Sequence, residues 1–307
     1  MSIKDFIVLW NRFFFAPVSP LPIALYRIIF GLLVLADALL LAPDLMVWFG
    51  PHGVLTPATA LQLTGPHRLN LFLLFPPGPG PVYLLFGLLT ASSITLACGF
   101  FSRTSAALVY LTLVSFTHRN PLILHSGDTL LRISAFFLIF SRSGTCLSVD
   151  RWLLTRWNSS PPPIPLIPAW PGRLIQIQLC LVYLATALWK FQGSMWLDGT
   201  ALYYTSRLQE FWRFRVPYIF EHLWTIKLAT YATLVIEFSL GTLVWIKELR
   251  HPILAAGLLL HLGIEYSMNI PLFAFTMTSG YVLFLNGTDL VRWFPALRPF
   301  SPSNSLT

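Results

Sequence analysis

Lys190 closes the largely apolar stretch RLIQIQLCLVYLATALWKFQ and stands between Trp189 and Phe191. Two chemistries are open to a lysine in that setting. At a helix end its stem can run along the apolar surface while the ammonium reaches the lipid headgroups, with Trp170 and Trp196 marking the two interfaces. Turned inward among bulky apolar neighbours, a poorly hydrated amine is the kind that serves as a base at neutral pH.

Two further clusters carry ionisable groups at helical spacing. In PLILHSGDTLLRISAFFLIF, His125, Asp128 and Arg132 fall at i, i+3 and i+7 and share one helix face. Either Asp128 and Arg132 form a self-satisfying pair with His125 at the helix end, or His125 and Asp128 line an outward-facing cavity beside His118 and Arg119. Farther along, His261 and Glu265 are i, i+4 neighbours, placed to hydrogen-bond on one face. Such a pair can move protons, because a histidine titrates close to neutrality, or it can link helices structurally. Glu237, four residues before Gly241, reads as a protonated structural carboxyl near a close helix contact.

The class of elements that hold these groups is set by composition. The 307 residues are 55% hydrophobic and only 10% charged, with a mean hydropathy of +0.68, too apolar for a domain that must cover its surface with polar groups. The chain reads as an integral membrane protein whose first partner is the lipid bilayer. Its net charge of +8 is spread singly and not gathered into an aromatic-interleaved patch, so nucleic acid is not an expected partner.

Apolar runs of roughly 17–25 residues between polar or proline-rich breaks mark spans. They predict an all-α polytopic bundle of about eight transmembrane helices at 21–42, 81–99, 104–118, 121–141, 172–190, 226–246, 252–268 and 271–286. The opening residues 1–16, with Lys4 and Arg12 among aromatics, predict an amphipathic helix lying at the interface and no cleavable signal. Residues 142–171 form a proline-rich cytoplasmic connection within a single membrane domain, 1–290, followed by a short tail, 291–307. More Lys and Arg fall on the side of Lys4, Arg103, Arg142, Arg151 and Lys247 than on the side of Arg119, Lys190, Arg207, Arg213 and Arg215, which places both termini in the cytoplasm. Lys190 and His125 then face the non-cytoplasmic side.

Ionised groups at the bilayer centre cost about 2.5–3.5 kcal/mol each, so they face a bundle interior or a wet cavity. Arg27, Asp37, Asp128, Arg132, Glu237, His261 and Glu265 are all such residues, more than a passive anchor needs. Other chemistries lack their signatures. Cys98, Cys146 and Cys180 are far apart and outside any ligand spacing, and the sequence has no dinucleotide loop, phosphate loop, nucleophile elbow or zinc-binding HExxH. No metal site is expected.

The stretches LVYLATALWKFQGSMWLDG, HRNPLILHSGDTLL and LHLGIEYSMNIPLFAFTM, taken in order and register, resemble the vitamin K-dependent gamma-carboxylase family, also called HTTM-domain proteins. The resemblance runs from Pro20 to about Asp289. It implies a lyase that uses a reduced quinone, reduced vitamin K or a relative, together with O2. Lys190 would be the base that deprotonates the quinol, His125 a second catalytic group, and His261 a residue of the quinone cavity. With Glu265, Asp128 and Arg132 added from their spacing, these make up the expected site. Departures bear on the substrate: Trp189 stands where the animal enzymes have a second lysine, and the long extracytoplasmic region that handles their peptide has no counterpart in the sequence. The membrane core also resembles the sporulation-delaying protein B group, which implies a role in maturing an exported peptide with a separate accessory protein. Alongside this enzyme reading stand a non-enzymatic factor for peptide maturation or export, and a transporter built on the same intramembrane charges.

Overall fold

The computed structural model describes residues 2–65, 67–158, 162–214 and 218–300. Arg215 of the charge pattern and the end of the tail, 301–307, lie outside the described residues. In chain order the helices are α1 (Ile3–Phe15), α2 (Leu21–Leu41), α3 (Leu45–Phe49), α4 (Pro57–Thr64), α5 (Pro79–Cys98), α6 (Ser102–Arg119), α7 (Ser126–Phe140) and α8 (Val149–Trp157). They continue with α9 (Trp170–Lys190), α10 (Ser194–Leu197), α11 (Ala201–Thr205), α12 (Leu223–Gly241), α13 (Lys247–Ser267), α14 (Phe273–Ser279) and α15 (Gly287–Trp293). Strands are confined, among the described residues, to a two-residue antiparallel pair, β1 (Pro17–Val18) with β2 (Ile167–Pro168). The fold is all-α.

Among the described residues, four segments are long and apolar enough to cross a membrane: Leu21–Phe49, Pro79–Cys98, Trp170–Lys190 and Leu223–Gly241. The other four expected spans are helical but differ in physical character. Helix α6 is diluted by Ser102, Thr104, Ser105, Thr112, Ser115 and Thr117, most of which bond back to carbonyls of the preceding turn or two. Helix α7 has 15 residues, α13 opens on the polar run Lys247–His251, and Phe273–Phe284 is a shorter apolar helix. Helix α7 also begins later than Pro121 suggests. Pro121–Ile123 forms one 3-10 turn, and the α-helix starts at Ser126 because His125 and Asp128 cap it reciprocally.

The chain forms two compact units, one of residues 1–175 with 285–307 and one of residues 176–284. In the first, α2 packs on α5, α5 on α6 and α6 on α7. A Cβ at Gly31 would lie 2.7 Å from the backbone nitrogen of Ala97, so the α2–α5 approach needs a glycine there. The fully buried Arg27 donates to the carbonyls of Ser143 at 2.8 Å, Leu147 at 2.5 Å and Ala97 at 3.5 Å, pinning the loop after α7 and the end of α5 to α2. An arginine fork satisfying carbonyls that helix geometry leaves open is a structural staple.

In the second unit α12 packs on α13, α13 on α14 and α11 on α12. A Cβ at Gly241 would lie 2.9 Å from the backbone nitrogen of Leu184, which puts α12 in direct backbone contact with α9. Leu179, Ile226, Leu234, Leu240 and Val244 are buried, while Leu181, Leu188, Leu228, Val235 and Leu259 point outward. Outward leucine and valine on helices of this hydropathy are solvated by lipid tails.

Candidate functional site

Lys190 sits in the last turn of α9, where a cation also meets the negative end of the helix dipole. Its Nζ pairs with Oε1 of Glu237 on α12. The lysine side chain is 24% exposed and the glutamate 10%, so the pair is held within the helices and not out among headgroups. The ring of Trp196, in α10, lies 4.8 Å from Nζ and adds a cation–π contact on the remaining side. The Leu184–Gly241 contact explains the pairing. Six residues on from Leu184 in α9 and four back from Gly241 in α12, the two charges come level on antiparallel helices.

Two turns before Lys190, Tyr183 is buried and its hydroxyl joins His261 Nε2 at 2.7 Å and the Tyr281 hydroxyl at 2.8 Å. Lys190 lies within electrostatic reach of His261, as Glu237 does of Tyr183, so the pair and the chain form one polar cluster. Thr186 stands beside Glu237 and donates its hydroxyl proton to the Tyr183 carbonyl. Nδ1 of His261 is buried without a hydrogen-bond partner among the described residues. Beyond Lys190, the turn Trp196–Gly199 is fixed by Asp198, which accepts from Thr200 N at 2.9 Å and Thr200 Oγ1 at 2.5 Å. Those donations, side chain first, hold the Asp198 carboxyl below its ordinary range. Gly199, at φ +81°, leaves room for Lys227 and Tyr231, which a Cβ would meet within 3.1 Å.

Glu265 turns away from His261. It pairs with Arg213, which also donates its backbone N–H to Ser267 O, while Asn269 N donates to Phe211 O at 2.6 Å. The expected i, i+4 bond between His261 and Glu265 is replaced by two better partners: a tyrosine hydroxyl on α9 and a guanidinium from the segment 209–214. Glu265 thereby fastens that segment to the end of α13.

His125, Asp128 and Arg132 belong to the other compact unit. His125 N donates to Asp128 Oδ2 at 2.7 Å, and Gly127 N donates to His125 Nδ1 at 2.9 Å. Arg132 donates to Thr129 Oγ1 at 3.3 Å and makes no ion pair with Asp128 among the described residues, because the carboxylate is spent on the cap. Asp37 of α2 lies within electrostatic reach of Asp128. Arg119 donates to the carbonyls of Leu55 and Gly50, and His118 Nδ1 meets Leu69 O at 2.7 Å. A cavity of about 300 Å³ lies there, lined by Arg119 with Phe49, Leu61, Phe72 and Val82 among others; neither His125 nor Asp128 lines it.

Of the six residues expected from sequence, the structure brings Lys190 and His261 within electrostatic reach of each other and joins His125 to Asp128 as a helix cap. Sequence reasoning missed the partners: Glu237 for Lys190, Tyr183 and Tyr281 for His261, and Arg213 for Glu265. One signal was available for Tyr183, which precedes Lys190 by seven positions on the same helix face and carries a hydroxyl that must find a partner.

Among protein families, the HTTM domain matches residues 15–288, nearly the whole chain. No curated protein and no solved structure matches it. With its four long apolar helices, the match identifies an integral membrane protein.

Proposed function

This chain belongs to the HTTM family of membrane proteins, and on that premise we propose that it is a quinol-dependent membrane enzyme in which Lys190 is the base. The observation that carries this reading is the pairing of Lys190 with Glu237 beside Tyr183 and His261. An amine is a base only when neutral, and inside a bilayer the proton it gives up needs a place to go. Glu237 provides one. With the proton on its carboxylate the pair becomes an amine facing a carboxylic acid, and the desolvation that makes a buried ion pair costly makes this uncharged form accessible.

The residues fit a reduced quinone: the polar groups are few, and His261 Nδ1 is buried with no partner among the described residues. When bound, such a group supplies an acidic hydroxyl and the electrons that reduce O2. Lys190 Nζ takes the hydroxyl proton, His261 orients the ring through a hydrogen bond, and apolar surroundings exclude water from the reactive step. Modification of an exported peptide, a lyase-type carboxylation in which carbon dioxide adds to a deprotonated peptide carbon, follows on this reading with an accessory protein presenting the peptide. The residues expected elsewhere have other work: Glu265 holds Arg213, and Asp128 with His125 caps α7.

On this reading the chain crosses the bilayer eight times, with α2, α5, α6, α7, α9, α12, α13 and the segment 273–284 as the spans. Helix α1, which buries none of its residues and carries Lys4, Asp5 and Arg12 among Ile, Phe and Trp, lies along the interface. Both termini are then cytoplasmic and the end of α9 faces the other side. The test is epoxide formation from reduced vitamin K and O2 by purified protein in lipid nanodiscs. Wild type should form epoxide and Lys190→Ala, still folded, should not; no product from wild type, or equal product from both, sinks the reading.

A further inference from the structure

Arg119, the last residue of α6, is 3% exposed and lines the cavity of about 300 Å³ in the first compact unit. It donates to Leu55 O at 2.8 Å and Gly50 O at 2.6 Å, which uses two of the five N–H donors of a guanidinium. The other donors have no hydrogen-bond partner, and the cation has no carboxylate, among the described residues. Asn70 lines the same cavity. Its Oδ1 accepts from Phe72 N at 3.0 Å, and because a backbone N–H can only donate, the side-chain amide is fixed with its NH2 left to donate elsewhere. None of the described residues around the cavity is acidic. The two polar side chains thus offer it donors and one full positive charge, with nothing in the protein to answer them.

The remaining lining is apolar and held in place. Phe49 and Phe72 meet Phe116 of α6 edge-on at 4.8 and 5.3 Å, and Leu71 N donates to Ser115 Oγ at 2.9 Å. The buried Val82 lies at the inner end with Arg119, whereas Leu73 and Phe75 are exposed at the rim. Pro76, Pro77 and Pro81 complete that rim and carry no N–H that lipid would leave unpaired.

We propose that this cavity binds a single-chain amphiphile with one anionic head, a carboxylate or a phosphate monoester, its head on Arg119 and Asn70 and its chain running out over Leu73 and Phe75. A guanidinium withdrawn from water without a counter-charge is costly, and carbonyl dipoles compensate only part of that cost. An anion supplies the missing charge together with charge-assisted hydrogen bonds. The volume lies at the lower end of small-molecule sites, which run from about 300 to 1,000 Å³, so it admits one alkyl chain and not the two of a bilayer phospholipid. The site is independent of the proposed function, because its residues all belong to the unit of residues 1–175, whereas Lys190, Glu237 and His261 belong to the other.

Calorimetric titration of the full chain in phosphatidylcholine nanodiscs, corrected with empty nanodiscs for partition into lipid, tests this. Decanoate or decyl phosphate should bind saturably and at least tenfold more tightly than decanol, which has the chain without the charge, and acetate should not bind. The tighter of the two anions identifies the head chemistry. That comparison uses the wild-type chain and needs no variant to fold. Arg119→Gln should weaken binding of the anion about tenfold. Leu61→Trp, at the exposed rim with Arg119 untouched, should weaken the anion and decanol alike by narrowing the cavity. Decanol binding as tightly as both anions, no saturable signal above empty nanodiscs, or either variant, folded, binding the anion like wild type overturns the proposal and leaves the quinol reading as it stands.

Discussion

Lys190 and Glu237 form an ion pair across 47 positions of sequence because Gly241 lets α12 touch the backbone of α9 at Leu184. The lysine therefore finds its counter-charge inside the protein. Its position at a helix end, which in many membrane helices serves only to reach the headgroups, here places it against a carboxylate and a tryptophan ring, within electrostatic reach of a histidine.

The pair sets a stability prediction. Removing one partner leaves an uncompensated charge among apolar side chains, so Glu237→Leu should lower the free energy of unfolding by about 3 kcal/mol. The double replacement Lys190→Met with Glu237→Leu should recover most of that loss, since an apolar pair of similar volume avoids the desolvation of both ions. Denaturation of the four proteins in one detergent closes the cycle. Additive losses would mean that the two residues are not coupled.

Arg27 predicts a different loss, confined to its own unit. Arg27→Met strands the carbonyls of Ser143 and Leu147, at about 1–3 kcal/mol for each buried group left unpaired. Arg27→Lys should rescue only part, because an ammonium does not reproduce the fork. A loss under about 1 kcal/mol for Arg27→Met would contradict the staple.

The helices were legible because apolar runs between breakers mark them. The run expected over 172–190 is Trp170–Lys190, and the one expected over 81–99 is Pro79–Cys98. Helices α3, α4 and α8 were not, being short pieces in connections whose composition reads as loop. The start of α7 was misplaced because Pro121 is a favourable first-turn residue, whereas a reciprocal cap at His125 and Asp128 outweighs it. In the site, Lys190 and His261 stood out as costly residues in apolar helices. Their partners did not, because no local spacing links α9 to α12 or to the 3-10 turn that carries Tyr281. Gly241 was the one hint of where α9 and α12 meet.

Asp198 gives a pH prediction outside the spans. Hydrogen bonds from Thr200 hold its folded-state carboxyl below the ordinary value. Its contribution to the turn is thus present above about pH 4, the ordinary aspartate value, and is lost as pH falls through the lower folded-state value. Thr200→Val removes the side-chain donor and should move the Asp198 titration upward toward that of a free aspartate. Carboxyl NMR of the residue reads this, and an unmoved titration would show that Thr200 Oγ1 does not stabilise the charge.

The base role of Lys190 separates from its pairing role in Lys190→Arg. A guanidinium keeps the positive charge facing Glu237 but does not surrender its proton, so it can preserve the ion pair and cannot act as a base. The measurement is epoxide formation from reduced vitamin K and O2 in nanodiscs, with unfolding followed on the same samples. Wild type should form epoxide, and Lys190→Arg should unfold like wild type and form none. Epoxide formation by Lys190→Arg at the wild-type rate would contradict the account.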